Sequence, residues 1–216
     1  MNKKIILSAS VAILLLSALF SLYYFRFRSP AQSAGSIVNQ NVNAPENPVS
    51  NQPLGTKLAN PIDVSGVEMQ NAAGQVTTPQ DFEGKVNLLF FGYVSCPDLC
   101  PLVMQDLGEM VKEMGEPDNL NVYMMSVDPE DTGELVQNYA SAFHPGFTGL
   151  AGSNEQIAEA LQTFFIAASQ VAKKRYSHTT AIMVIDSNAQ VRYLYAGDTM
   201  TALGRDLTSF LAATDW

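Results

Sequence analysis

Residues 86–93, Val-Asn-Leu-Leu-Phe-Phe-Gly-Tyr, form a nearly unbroken apolar run, and shortly after it comes Cys96-Pro97-Asp98-Leu99-Cys100-Pro101. The run is too short for a helix core and too apolar for a strand with one wet face, which marks a central strand buried on both faces. The stretch from Leu99 reads as a helix: Leu99, Val103, Leu107, Met110, Val111 and Met114 recur at spacings of three and four, with polar residues between them. The two cysteines therefore fall at a strand-to-helix corner, four apart on a first helical turn, where their sulfurs share a face. Such a pair can hold one soft metal ion or close into a disulfide bond. Unpaired backbone N–H groups at a helix start favour the thiolate. Pro101, just inside the helix, has no N–H to leave unpaired. Two ordinary core cysteines need no corner bracketed by prolines, and the usual thiol–disulfide pair has two intervening residues where this one has three.

The rest of the pattern alternates strand and helix. A strand over 120–127 follows a turn at 117–119, and a helix spans 132–143. A further helix after Ser153 opens with a Ser-x-x-Gln capping box ending at Gln156 and carries Ile157, Leu161, Phe164, Phe165 and Ala168 on one side. Strands 179–185 and 190–195 flank a turn at 186–189, and a last helix spans 203–212. Ahead of the central strand, a hairpin around 71–74 has Val67, Met69 and Val76 as inward positions. This order predicts an α/β, thioredoxin-like fold: a central mixed sheet flanked by helices, with an N-terminal hairpin addition. A chain of 216 residues has room for one such domain, expected over 60–216.

Lys3 and Lys4 precede an uncharged stretch over 5–25, long enough to cross a bilayer core of about 30 Å as a helix. Tyr23, Tyr24, Arg26 and Arg28 resemble an interfacial belt, so residues 1–28 are expected to be a transmembrane signal anchor with a cytoplasmic N-terminus. A cleaved signal, with small residues at Ala31, Ser33 and Ala34, is the competing reading. Residues 29–59, rich in Asn, Gln, Ser, Pro and Ala without an aromatic, read as a flexible linker. All 21 acidic residues follow Arg28 against eight of the 12 basic ones, giving that part about −13. Such a charge disfavours nucleic acid and suits a cationic partner or a metal ion. Either reading of the N-terminus puts the domain outside the cytoplasm, and the short Lys-Lys start without an Arg-rich transit segment favours a bacterial periplasm, with the anchor in the inner membrane.

His178 follows Lys173-Lys174-Arg175 and stands before strand 179–185, where a loop of this fold can approach the cysteine corner. Two thiolates and one imidazole suit copper, with zinc as competitor and a plain turn histidine as the simplest alternative. His144, in Phe143-His144-Pro145-Gly146, reads as a helix-terminal residue. Met110 and Met114 match core spacing, Met124, Met125 and Met183 lie in strands, and Met104 reads as filler. In Asp128-Pro129-Glu130-Asp131, the last acid is placed to cap the next helix.

From about Gly55 onward the chain resembles the SCO/SenC family of copper-binding assembly factors for cytochrome oxidase. The resemblance is carried by Phe91-Gly92-Tyr93, Cys96-Pro97-Asp98-Leu99-Cys100-Pro101, Ser126-Val127-Asp128-Pro129-Glu130, Gly149-Leu150 and Tyr176-Ser177-His178. It implies one copper, Cu(I) or Cu(II), per chain, with Cys96, Cys100 and His178 as metal ligands. It also implies delivery to the binuclear copper centre of cytochrome c oxidase, with the copper-receiving oxidase subunit as partner and a copper donor or thiol reductant upstream. The alternative is a thiol–disulfide reductase that keeps the oxidase's copper-ligand cysteines reduced, with Cys96 attacking and Cys100 resolving. The chain departs from the family pattern in having Ser177 where an Asp is usual before the histidine, and in lacking an Arg between Glu130 and Asp131.

Overall fold

In the computed structural model, which describes residues 52–213, the apolar run becomes β2 (Val86–Gly92), buried at every position. It lies between β3 (Leu120–Ser126), to which it runs parallel, and β7 (Ala181–Ile185), to which it runs antiparallel. With β1 (Thr56–Asp63), β4 (Thr148–Leu150) and β8 (Gln190–Ala196), these make one six-stranded mixed sheet in the order β1-β8-β7-β2-β3-β4. Leu88, Leu89, Phe90 and Phe91 are all buried, and each such side chain contributes about 2 kcal/mol relative to an exposed one. The strand that leads into the cysteine corner is thus paired on both sides and anchored along its whole length.

Four α-helices among the described residues flank this sheet: α1 (Leu99–Glu113), α2 (Gly133–Phe143), α3 (Asn154–Thr163) and α4 (Leu203–Ala212). Helix α1 buries Val103, Leu107 and Val111 as its periodicity predicts and also Met104, which lies off the predicted stripe and is core, while Leu99 stays exposed. Helix α3 opens with the expected capping box, Ser153 accepting from the Gln156 N–H and Gln156 reaching back to the Ser153 N–H. The thioredoxin-like α/β fold with a mixed sheet is therefore the one expected.

Several expectations are corrected. No transmembrane helix stands among the described residues: none of their helices is long and apolar enough to cross a membrane, and the longest, α1, has 15 residues with charged ones along it. Residues 1–28, on which that expectation rested, and most of the expected linker lie outside the described residues. Strand β1 begins at Thr56, inside the stretch assigned to the linker. It is an exposed edge strand containing Pro61, so it lacks the alternation that signals a half-buried strand. The hairpin addition around 71–74 is present, its turn closed by the antiparallel bridge of Gln70 to Val76, with Val67 and Met69 buried as expected; only Val76 is not inward but exposed. Helix α3 stops at Thr163, and beyond it β5 (Ala168–Ala172) and β6 (Arg175–His178) form a separate two-stranded sheet.

Candidate metal and thiol site

Strand β2 ends at Gly92, and the chain turns through Tyr93, Val94 and Ser95 to Cys96 before entering α1. A side chain at Gly92 would press on Phe90, Met124 and, at 3.3 Å, the Cys100 sulfur, so only glycine lets the corner sit this close. Both cysteines are free thiols, Cys96 half-buried and Cys100 fully buried. The Cys100 backbone N–H points at the Cys96 sulfur at 3.5 Å, as expected for four-residue spacing at a helix start.

His178 arrives from the other side, as the last residue of β6 rather than at the entrance to β7. Its Nε2 lies 3.6 Å from the Cys100 Sγ, and its Nδ1 lies 3.1 Å from the Thr179 carbonyl oxygen. A carbonyl can only accept, so Nδ1 carries the proton and the Nε2 lone pair faces the sulfur. This is the tautomer a ligating imidazole needs. The rings of Phe90 and Tyr93 pack edge-on against it at 6.3 and 5.9 Å between centroids. Cys96, Cys100 and His178 are thereby brought together, though among the described residues no group of three or more His, Cys, Asp or Glu is gathered tightly enough to hold a metal ion as it stands.

The two thiols are unlike. Burial works to raise the Cys96 thiol, but hydrogen bonds from the Cys100 side chain and from the Asp98 and Cys100 backbone N–H groups outweigh it and bring it below the ordinary cysteine range. Cys100 is pushed far up, first by burial and then by its neighbour Cys96. Its single proton lies between two acceptors, the Cys96 sulfur and His178 Nε2.

Residues read from the sequence in another role, or in none, hold this corner. Asp131 does not cap α2; Thr132 does, accepting from the Leu135 N–H at 3.3 Å. Asp131 is turned inward instead, its Oδ2 accepting from the Val94 N–H at 2.9 Å and the Ser126 hydroxyl at 2.7 Å. The β5–β6 hairpin is tied on by three further bonds. Ser95 donates to the Lys174 carbonyl at 3.0 Å, Tyr93 to the Tyr176 carbonyl at 3.3 Å, and Tyr176 to Asp128 Oδ1 at 3.1 Å. Burial, reinforced by Asp128, pushes the Tyr176 phenol up to about 12, so it remains a donor at any ordinary pH. The signal for these residues was their place within Phe91-Gly92-Tyr93, Ser126-Val127-Asp128 and Tyr176-Ser177-His178, each of which turns out to touch the corner.

The SCO1/SenC family model matches residues 64–209, a span that includes every residue of this site. The chain belongs to the SCO1/SenC family. Among similar proteins is an SCO2-like protein of Rickettsia felis, 28% identical over 132 residues that cover 57% of this chain and 64% of that one. The chain thus spans less than two thirds of that relative's length. Among solved structures, apo Sco1 of Thermus thermophilus is 33% identical with a TM-score of 0.63, covering 76% of this chain and 98% of that one. ScoI of Bradyrhizobium japonicum, solved with copper bound, is 29% identical with a TM-score of 0.59, covering 70% and 98%.

Within this SCO1/SenC chain Ser177 does not orient His178. Neighbours in a strand face opposite ways, and exposed Ser177 points away while the Thr179 carbonyl does the orienting. His144 caps the C-terminus of α2, as expected, with its Nδ1 accepting from the Gly146 N–H at 3.1 Å.

Proposed function

We propose that this SCO1/SenC chain is a copper chaperone. Reduced and outside the cytoplasm, in the periplasm, it takes one copper ion through Cys96, Cys100 and His178 and passes it to the binuclear copper centre of cytochrome c oxidase during assembly. The observation that carries this reading is the 3.6 Å approach of His178 Nε2 to Cys100 Sγ with Nδ1 held by a carbonyl. An imidazole lone pair beside a thiol, with a second and more acidic thiol one helical turn away, is a donor set for a soft ion. The similar ScoI of Bradyrhizobium japonicum, which carries copper, supports copper over zinc. Copper entering the site draws in the Cys96 sulfur and displaces the Cys100 proton. Transfer then exchanges these ligands one at a time for those of the receiving subunit.

Anaerobic copper(I) titration of the reduced chain, with X-ray absorption, tests the site. One copper with two sulfur ligands and one nitrogen is expected, the nitrogen disappearing in His178→Ala. Binding that His178→Ala leaves unchanged would sink the ligand assignment.

The inequality of the thiols favours one second reading, a thiol–disulfide reductase. The Cys96 thiolate would attack one sulfur of a partner's disulfide, releasing the other as thiolate. Cys100, giving up its proton, would then attack the Cys96 sulfur, leaving a disulfide here and two thiols on the partner. Disulfide reduction that persists in His178→Ala would favour this reading over the chaperone.

A further inference from the structure

Exposed apolar side chains lie on the elements that carry the cysteine–histidine corner. Leu99 and Leu102, 53% and 57% exposed, stand on the first turn of α1, on either side of Cys100. Phe165, 81% exposed, lies on the segment that leads into the hairpin carrying His178, and Val171, 63% exposed, lies on the first strand of that hairpin. Between that segment and α3 runs a groove of about 650 Å³ that has His178, Thr179 and Ala168 in its wall. Phe165 also occupies a left-handed backbone position, φ 54°, just past the end of α3. Its N–H closes onto the Gln162 carbonyl and the next N–H onto Leu161, the place where a helix ordinarily ends in glycine. A phenylalanine there accepts backbone strain and shows its ring to water, which folding alone does not ask for.

Charge marks the same rim. Lys173, Lys174 and Arg175 are consecutive at the hairpin tip and supply three of the eight basic residues that follow Arg28 in a chain of net charge −9. Lys174 pairs with Glu130 at 3.6 Å, and the side chains of Lys173 and Arg175 are exposed.

We propose that this rim docks a protein partner whose contacting face is apolar at its centre and acidic at its edge. This rests on the copper-transfer reading, in which a second protein must reach the same three side chains. An anionic membrane has related chemistry, but a continuous negative surface repels a chain of this net charge. A compact acidic face can meet Lys173 and Arg175 at the hairpin tip, where Lys174 is already paired with Glu130, without spreading over the rest of the chain.

The test uses the copper-loaded full chain and the apo form of the soluble binuclear-copper domain of cytochrome c oxidase from the same cells. Stopped-flow transfer rates are taken at low and high salt, with binding by calorimetry. Wild-type transfer is expected to slow steeply with salt, and Lys173→Glu with Arg175→Glu to slow it roughly tenfold at low salt. Phe165→Gly, which relieves the left-handed strain and so keeps or raises thermal stability, is expected to slow transfer roughly tenfold at both salts with copper affinity intact. Variants that transfer at the wild-type rate would overturn the docking surface and leave copper transfer standing. Acceptor binding that the variants lose, with no copper passed by any protein, would leave the surface standing and overturn transfer. No binding by wild type overturns both. Binding to phosphatidylethanolamine–phosphatidylglycerol vesicles, lost in these variants while acceptor transfer is untouched, assigns the rim to a membrane and overturns the proposal.

Discussion

Cys96 and Cys100 differ because one sulfur collects donors and the other is shut away, and that difference has a direct readout. Iodoacetamide labelling followed by peptide mass spectrometry should show Cys96 reacting with a midpoint below the ordinary thiol range, while Cys100 resists at every accessible pH. Equal labelling of the two would contradict the geometry. Asp131 acts one step further out. Removing its carboxylate in Asp131→Ala leaves the Val94 N–H and the Ser126 hydroxyl without their acceptor, and should cost about 2 kcal/mol in urea denaturation. A loss near zero would mean that water replaces the carboxylate. At this scale the two cysteines were legible because proline-bracketed thiols at a helix start have few structural uses. Asp131 was not, since an acid one residue before a helix reads equally as a cap, and only the fold brings Val94 beside it.

The elements carrying the site are unequal in how they are held. Strand β2 is paired on both sides and buried throughout, whereas the β5–β6 hairpin forms a sheet of its own with mostly exposed positions. Its attachment to the corner is a few side-chain bonds, among them that of Tyr176 to Asp128. In Tyr176→Phe, amide exchange over residues 175–178 should speed up several-fold, while β2 amides keep wild-type protection, a contrast read by hydrogen-exchange mass spectrometry. Uniform acceleration would show that the hairpin and the sheet open as one unit. The same inequality explains what the sequence concealed. Strand β2 and helix α1 carry long apolar patterns. The hairpin and β1 have most positions in water, and no period of hydrophobicity marks them.

Across the whole molecule, one buried carboxylate joins distant parts of the chain. Asp206 in α4 accepts from the Leu54 N–H at 2.6 Å and the Tyr195 hydroxyl at 2.8 Å, and pairs with Arg205. Burial works to raise its carboxyl, but Arg205, Tyr195 and the Leu54 N–H together hold it below the ordinary range. A depressed carboxyl stabilises the fold fully above the unfolded value and loses that contribution as pH falls through the folded one. The stability gap between wild type and Asp206→Asn should therefore be constant down to about pH 4 and shrink below it. Tyr195→Phe should cost about 1 to 2 kcal/mol at neutral pH. Thermal melts across pH check both, and a gap that widens in acid would reverse the assignment.

Leu54 and Asp206 lie 152 positions apart yet share that 2.6 Å bond, so the two ends of the folded unit meet. From Asp206 to residue 213 the helix adds only about 10 Å at 1.5 Å per residue. A short glycine bridge can close this gap into a ring, which can then be cut elsewhere, for instance at the exposed turn Gly115-Glu116. A permuted protein of this kind should melt cooperatively and keep the unequal thiol reactivities, so that the unit can be spliced into a loop of another protein without unravelling either.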